Sequence, residues 1–173
     1  MRPVERGSVP SNPDGTPRVF RAYQDVRSDL ICRLGEYCSY CEMQLDSSLA
    51  VEHVQPKKGS GARPDLELVW ENFLLGCINC NSIKSHQAIH LEDYYWPDRD
   101  NTLRMLVYME GGIIQPHPDL TPEEQQCAQR MIYLVGLDKI PPNDPRATDR
   151  RWNNRLYWFV SLPQPVQINN HYP

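Results

Sequence analysis

Two Cys-x-x-Cys pairs limit the possible folds of this chain more than any other feature of its sequence. Cys38 and Cys41 form the first pair, Cys77 and Cys80 form the second, and 35 residues lie between the pairs. Zn²⁺ prefers four soft ligands in a tetrahedron, and a Cys-x-x-Cys turn directs two thiolates toward one point. Two such turns fill the coordination shell. The predicted zinc ion is therefore structural and closes a long loop.

Two other interpretations of these cysteines are a redox Cys-x-x-Cys motif and a pair of disulfides. A redox motif normally occurs once and near a β-α-β pattern, which this sequence does not show. The sequence has no N-terminal apolar run of the signal-peptide type, and no apolar stretch long enough for a membrane span. We therefore expect a cytoplasmic location, away from membranes. The reducing conditions there argue against disulfides.

We expect residues 1–173 to fold as a single domain, because this length supports one core and is short for two. The core is predicted at 37–95, around the cysteine pairs. An extended, proline-rich lead-in is predicted at 1–17, a strand-helix extension at 101–162, and a polar tail at 163–173.

Apolar periodicity and helix-boundary residues predict helices on both sides of this core, at residues 18–34, 121–135 and 147–160. Gly35 and Gly136 are the predicted stops of the first two. Thr121, Pro122 and Glu124 have the types expected of an N-cap, a first helical residue and a capping box. A strand is predicted at Leu103–Tyr108, followed by a turn at Gly111 and Gly112.

Candidate catalytic residues lie between the cysteine pairs and just after the second pair. Hydrolysis of a phosphodiester needs a base, a hard cation and a group that holds the base in place. His53 titrates near neutrality and can serve as the base. Glu52 and Asn81 offer oxygen ligands of the kind that suit Mg²⁺ or Mn²⁺.

Three further residues complete the predicted site. The amide of Asn72 can fix the loop that carries His53, and Lys84 can meet a phosphate oxygen as a point charge. Lys57 lies beside a Gly-Ser-Gly loop and either contacts a phosphate or remains solvated. Each residue alone is commonplace. Their joint placement in and just after one zinc loop favours a hydrolytic site.

The run CSYCE…VEHVQPK…WENFLLGCINCNSIKSH resembles the zinc-bearing form of the HNH endonuclease superfamily. The resemblance covers Tyr37 to His86 and implies an α+β fold of the ββα-metal type. In that fold a β-hairpin carries Glu52 and His53, and a helix starting near Cys80 carries the following motif residues. A four-cysteine zinc knuckle frames this core, and helices flank it at both ends.

The same resemblance implies roles for four residues. His53 would be the general base and Asn72 the orienting residue, while Glu52 and Asn81 would hold the catalytic metal. Two positions depart from the commoner pattern, which has Asp before the His and His as the third signature residue. This chain has Glu52 and Asn81 there, and these departures leave the choice of metal open.

A looser resemblance extends to the C-terminal part of the chain. A Gly-Gly-Ile turn, a helix ending in Leu-Val-Gly-Leu-Asp, and the run from Asp149 to Arg155 are similar to the small HNH subunits of Septu-type and retron-associated anti-phage systems. Those subunits work with an ABC/SMC-like ATPase. The net charge of −4 is unusual for a protein that grips DNA alone, and a partner of that kind would account for it.

The sequence leaves three functions open. The leading hypothesis is a DNA endonuclease that leaves 5′-phosphate and 3′-hydroxyl ends. The second is a non-catalytic zinc module that docks a partner or nucleic acid, although such a module would not need Glu52, His53, Asn72 and Asn81 together. The third is an RNA-directed nuclease. It stays open because the site acts on a phosphodiester, and no motif in the sequence distinguishes RNA from DNA at the 2′-hydroxyl group.

Overall fold

The computed structural model describes residues 1–45, 48–141 and 150–161, the last four of them by their backbone alone. Within these residues the helices and strands follow in this order: α1 (Arg27–Leu34), β1 (Leu49–His53), β2 (Phe73–Cys77), α2 (Ile78–Lys84), α3 (Thr102–Met105), β3 (Leu106–Met109), β4 (Ile113–Pro116), α4 (Pro122–Leu134) and α5 (Arg150–Ser161).

The ββα unit β1–β2–α2 forms the centre of the fold. The two strands pair antiparallel, with Leu49 opposite Cys77 and His53 opposite Phe73. Every residue of β2 is buried, as expected for the short apolar run FLLGC. Cys77 ends the strand and caps α2, because its sulfur accepts a hydrogen bond from the Cys80 amide. This arrangement confirms the α+β fold class and the ββα order.

The helix before this unit is shorter than its apolar stripe predicts. It begins with a 3₁₀ turn at Tyr23–Val26, continues as α1 and stops at Gly35, whose φ is 76°. Phe20 precedes the helix and stacks on Trp70, with ring centroids 6.1 Å apart. The apolar periodicity before Tyr23 therefore reflects packing of an irregular segment rather than helix.

The N-terminal lead-in lies against the core. The Val4 amide donates to the Pro97 carbonyl at 2.7 Å. The Arg6 guanidinium donates to the Phe73 carbonyl at 2.6 Å and pairs with Asp98 at 2.7 Å. These contacts join the lead-in to the start of β2 and to the segment after α2.

The C-terminal extension begins with a helical turn where the sequence predicts a strand. The Asn101 side chain accepts a hydrogen bond from the Arg104 amide and starts α3, so β3 begins only at Leu106. Gly111 and Gly112 form the predicted turn between β3 and β4, with φ values of 80° and 71°. The predicted strand at Leu103–Tyr108 is therefore correct only in its second half.

The two long helices of the extension pack around this hairpin. The predicted capping box of α4 is present, since Thr121 and Glu124 bond to each other's backbone amides. The Trp152 indole on α5 donates to the Gly111 carbonyl at 2.7 Å, and Arg155 donates to the Gly112 carbonyl at 2.8 Å.

Asp149, the start of the helix predicted from residue 147, and the predicted tail at 163–173 lie outside the described residues.

One cluster of buried apolar residues connects these parts and runs in sequence from Met1 to Leu137. It includes Val26 and Leu30 of the N-terminal helix, Leu74 of β2 and Met131 of α4, all at most 1% exposed. Among the described residues, no helix combines the length and the apolar character needed to cross a membrane.

Candidate active site and zinc site

The four cysteines of the two pairs come together at one point. Their sulfur atoms all lie within 4.8 Å of one another, and Cys41 Sγ is 3.7 Å from Cys77 Sγ. All four are free thiols, so the alternative of paired disulfides is not what the structure contains. Four converging thiols with this spacing are suited to a tetrahedral zinc ion, as predicted.

Local backbone structure creates this convergence. The first pair lies on a tight turn, where the Glu42 amide donates to the Cys38 carbonyl at 2.9 Å and Glu42 has a φ of 60°. The second pair lies at the start of α2. Hydrogen bonds to Cys38 raise the pKa of Cys41 and lower that of Cys77. A metal ion bound here would displace the thiol protons, because cysteine ligates metals as the thiolate.

Next to this cluster lies a cleft of about 430 Å³ that contains most of the predicted site. Five predicted residues line the cleft: Glu52, His53, Lys57, Asn81 and Lys84. Tyr23, Ile78 and His86 also border it. Asn72 lies behind the cleft, as the next contacts show.

His53 is held at the end of β1 with its ring largely buried, at 8% exposure. Its Nε2 lies 3.0 Å from the Glu67 carbonyl oxygen. A carbonyl only accepts hydrogen bonds, so Nε2 carries the hydrogen and Nδ1 of the neutral ring is free of one. Burial lowers the pKa of His53, which favours this neutral form.

Asn72 fixes the loop that follows His53. Its Oδ1 accepts from the Gln55 amide at 2.8 Å, and its Nδ2 donates to the carbonyls of Gln55 and Leu66 at 3.0 and 3.2 Å. Both ends of one amide side chain are thus used to hold the loop in place. The orienting role expected of Asn72 remains a prediction, and this geometry favours it.

Glu52 and Lys84 form a buried ion pair beneath the cleft. The Lys84 ammonium lies 2.7 Å from Glu52 Oε1 and donates to the His53 carbonyl at 2.7 Å. Burial raises the pKa of Glu52, and the nearby ammonium acts in the opposite direction. Lys84 is therefore a buried partner of the candidate metal ligand in this structure. Its predicted phosphate contact stays a prediction.

Gly76 separates the two candidate metal ligands. A Cβ added at Gly76 would lie 3.3 Å from the Glu52 Cβ and 3.7 Å from the Asn81 Cβ. Both side chains therefore start from one small region of the hairpin and α2. A carboxylate and an amide oxygen form a donor set that fits Mg²⁺ or Mn²⁺. The absence of a side chain at Gly76 leaves room between them.

Sequence reasoning missed two residues that contact the candidate site, Tyr23 and Glu67. The Tyr23 ring meets His53 edge-on at 5.1 Å, and the Lys57 ammonium lies 3.6 Å from the centre of that ring. Lys57 also pairs with the Glu67 carboxylate at 2.7 Å. Tyr23 is part of an apolar stripe in the sequence, and Glu67 acts on His53 through its backbone. Neither has a sequence signal of a catalytic role.

These features define a ββα unit with a polar cleft beside four converging thiols, and comparison with known proteins shows what this segment is similar to. A family model described as HNH endonuclease matches residues 38–87, which contain both cysteine pairs. The segment 38–87 therefore matches the pattern of an HNH endonuclease domain.

One relative extends the similarity beyond that segment. It is the candidate HNH endonuclease of retron Vc95 from Vibrio cholerae serotype O1 biovar El Tor. This chain is 28% identical to it over 122 residues, which cover 66% of this chain and 58% of the relative. The similarity therefore spans less than two thirds of the relative's length.

Proposed function

We propose that this chain is a metal-dependent endonuclease that hydrolyses the phosphodiester bonds of DNA. One observation carries the proposal. A buried imidazole whose pKa is lowered by burial, a carboxylate and an amide oxygen border the same cleft, on the ββα unit of the HNH segment. Those three groups belong to His53, Glu52 and Asn81.

In this mechanism His53 is the general base. Nδ1 takes a proton from the water that attacks phosphorus, while the Nε2 hydrogen bond to the Glu67 carbonyl keeps the ring oriented. The bond from phosphorus to the 3′ oxygen breaks, and this oxygen takes a proton from solvent. The products are a 5′-phosphate and a 3′-hydroxyl.

Glu52 and Asn81 would hold Mg²⁺ or Mn²⁺, which supplies charge stabilisation for the crowded phosphate and its leaving oxygen. The donor chemistry and the open position at Gly76 support this assignment. Lys57 borders the cleft with its side chain 19% exposed and is the better placed of the two lysines to meet a phosphate. Zn²⁺ at the four thiols would be structural, since its shell is complete.

The decisive variant is His53→Ala, assayed on plasmid DNA with Mg²⁺ and with Mn²⁺. We expect cleavage to fall by about 10²–10⁴-fold, the usual contribution of a general base. Zinc content and circular dichroism should stay unchanged. His90→Ala is the matched control, since His90 is exposed and does not border the cleft. Undiminished cleavage by the His53 variant would refute the catalytic assignment.

The substrate is tested by matched DNA and RNA strands of one sequence. Preferential cleavage of DNA supports the proposal, whereas preferential cleavage of RNA assigns the same site to an RNA-directed nuclease. Binding of nucleic acid without cleavage of either strand, under every metal and partner condition, would instead indicate a non-catalytic zinc module.

We also propose that the chain is the nuclease subunit of an anti-phage complex with an ABC/SMC-like ATPase. The relative from retron Vc95 supports the defence role. The net charge of −4 supports a partner that supplies most of the contacts to the DNA phosphates. Purification of the native protein with its neighbours, followed by nuclease assays with and without ATP, tests both parts. A fully active, ATP-independent chain that purifies alone would contradict them.

A further inference from the structure

Arg151 connects the C-terminal helix to the zinc site. It is the second residue of α5 and its side chain is buried, at 1% exposure. Nη1 lies 2.9 Å from Cys80 Sγ and 2.8 Å from the Val135 carbonyl, and Nη2 lies 3.0 Å from the Gly136 carbonyl. One guanidinium thus joins α5, the end of α4 and a cysteine of α2.

The charge of Arg151 explains why these partners suit it. A guanidinium cannot lose its proton in a protein, so its burial requires groups that offset a fixed positive charge. Carbonyls at the C-terminal end of a helix carry partial negative charge, and those of Val135 and Gly136 follow the last turn of α4. The sulfur of Cys80 would carry full negative charge once it is a metal-bound thiolate.

The positive charge of Arg151 would also stabilise the zinc site. Zn²⁺ bound by four thiolates carries two excess negative charges, in a place where three of the cysteines are buried. A hydrogen bond from a guanidinium to one sulfur offsets part of that charge and fixes the ligand's orientation. Groups that hold metal ligands in this way typically change metal affinity by about 10–100-fold.

The neighbouring packing keeps Arg151 in register with Cys80. Gly136 has a φ of 67°, and a Cβ there would lie only 2.6 Å from the Cδ1 of Ile83 on α2. The end of α4 therefore lies directly against α2, near the cysteine that the guanidinium contacts. Trp152 and Arg155 donate hydrogen bonds from the first two turns of α5 to the β3–β4 turn.

We propose that Arg151 is a positioning residue of the zinc site, where it stabilises the metal-bound thiolate of Cys80 and docks the first turn of α5. The two effects are reciprocal by linkage: the metal strengthens the docking of the helix by the factor by which the helix strengthens metal binding. The helix lies outside the HNH segment 38–87, so the zinc site would anchor a part of the chain beyond that domain. Both effects are expected whether or not the chain cleaves nucleic acid.

The test measures zinc directly, on the full chain loaded with zinc. Arg151→Met removes the donors and the charge, while Arg151→Lys keeps the charge and loses the two-pronged geometry. We expect zinc transfer to a chromogenic chelator to be about 10–100-fold faster in the Met variant and intermediate in the Lys variant. Arg150→Met is the matched control, since Arg150 is the exposed neighbour on the same helix, and its rate should match wild type.

Two further measurements separate a role at the metal from a merely structural role. In cobalt-substituted protein, loss of the hydrogen bond to Cys80 should shift the sulfur-to-cobalt charge-transfer band. Amides in the first turn of α5 should exchange hydrogen faster in the zinc-loaded Met variant. Loosening of α5 with an unchanged cobalt band and an unchanged zinc release rate would overturn the proposal. If the Met variant does not fold, the same comparison between Arg151→Lys and Arg150→Lys decides it.

Discussion

The ammonium of Lys84 lies 2.7 Å from the carboxylate of Glu52, and these two side chains are only 1% and 4% exposed. Removal of one partner from a buried pair leaves an uncompensated charge in the interior and typically costs about 3–5 kcal/mol. We therefore expect Lys84→Met to lower the free energy of unfolding by that amount in urea denaturation.

Two comparisons test whether loss of the Glu52–Lys84 ion pair causes the expected drop in the free energy of unfolding. Lys57→Met breaks a partly exposed pair with Glu67 and the contact with the Tyr23 ring, and together these losses should cost about 1–2 kcal/mol. The double variant Glu52→Gln/Lys84→Met should recover part of the loss, because no buried charge remains. If Lys84→Met is as stable as Lys57→Met, the ion pair does not form in solution, and Lys84 is available for the predicted phosphate contact.

Replacement of Asn72 by Asp tests the loop behind the base. The Nδ2 group donates to two carbonyls, and a carboxylate in its place would face those oxygens without a hydrogen to share. We expect a loss of about 1–3 kcal/mol in the free energy of unfolding, together with reduced cleavage. Asn153→Asp, at an exposed position of α5, is the control. Wild-type stability and activity in Asn72→Asp would show that the loop needs no such clamp.

Tyr23 is expected to matter through its ring rather than its hydroxyl. The ring contacts His53 and Lys57, and each contact of this type contributes about 0.5–1.5 kcal/mol. Tyr23→Phe should therefore behave as wild type. Tyr23→Leu should lose about 1–3 kcal/mol of stability, with kcat reduced more than KM is raised. Tyr133→Leu changes an exposed tyrosine of α4 and should leave both stability and the kinetic constants unchanged. Equal activity in the Phe and Leu variants would exclude a role for the ring.

The capping box of α4 predicts a pH dependence of stability. A hydrogen bond from the Thr121 amide lowers the pKa of Glu124 below its usual 4.5, and Arg104 acts in the same direction. The carboxylate therefore contributes fully above pH 4.5, and its contribution is lost as the pH falls through the lower value in the folded state.

Glu124→Gln keeps an acceptor for the cap but does not titrate. The stability difference between wild type and this variant should be constant above pH 4.5 and shrink below it. Measuring the difference cancels acid effects shared by both proteins, such as protonation of the zinc thiolates. If the stability difference between the two proteins stays constant from about pH 6 to about pH 3, the Glu124 carboxylate does not bond to the Thr121 amide.

The four-cysteine cluster could be predicted because its information is local, since each Cys-x-x-Cys spacing directs two thiols toward one point. The ββα order was predicted from the resemblance to the HNH endonuclease superfamily rather than from local pattern. Chemistry also identified the candidate residues of the cleft, since His53, Glu52 and Asn81 are the types that hydrolysis needs. The structure brings these three residues to one cleft, and their catalytic roles stay predictions.

Contacts between distant segments could not be predicted. The carbonyl of Glu67 bonds to His53 through the backbone, which no residue type announces. Arg151 reaches Cys80 across 71 positions of the chain, a separation that local pattern does not cover. The turn at Asn101 was missed for a different reason, because a side-chain cap overrode the strand propensity of the residues that follow.

Trp70 lies within the HNH segment, but the groups that cover it do not. Phe20 stacks on its ring, the Arg33 guanidinium lies 5.1 Å above the ring, and its indole nitrogen donates to the Gly7 carbonyl. A fragment cut at the family boundaries would expose this large aromatic surface to water and invite aggregation. Any attempt to move the HNH segment into another scaffold therefore has to include about the first 35 residues of the chain as well.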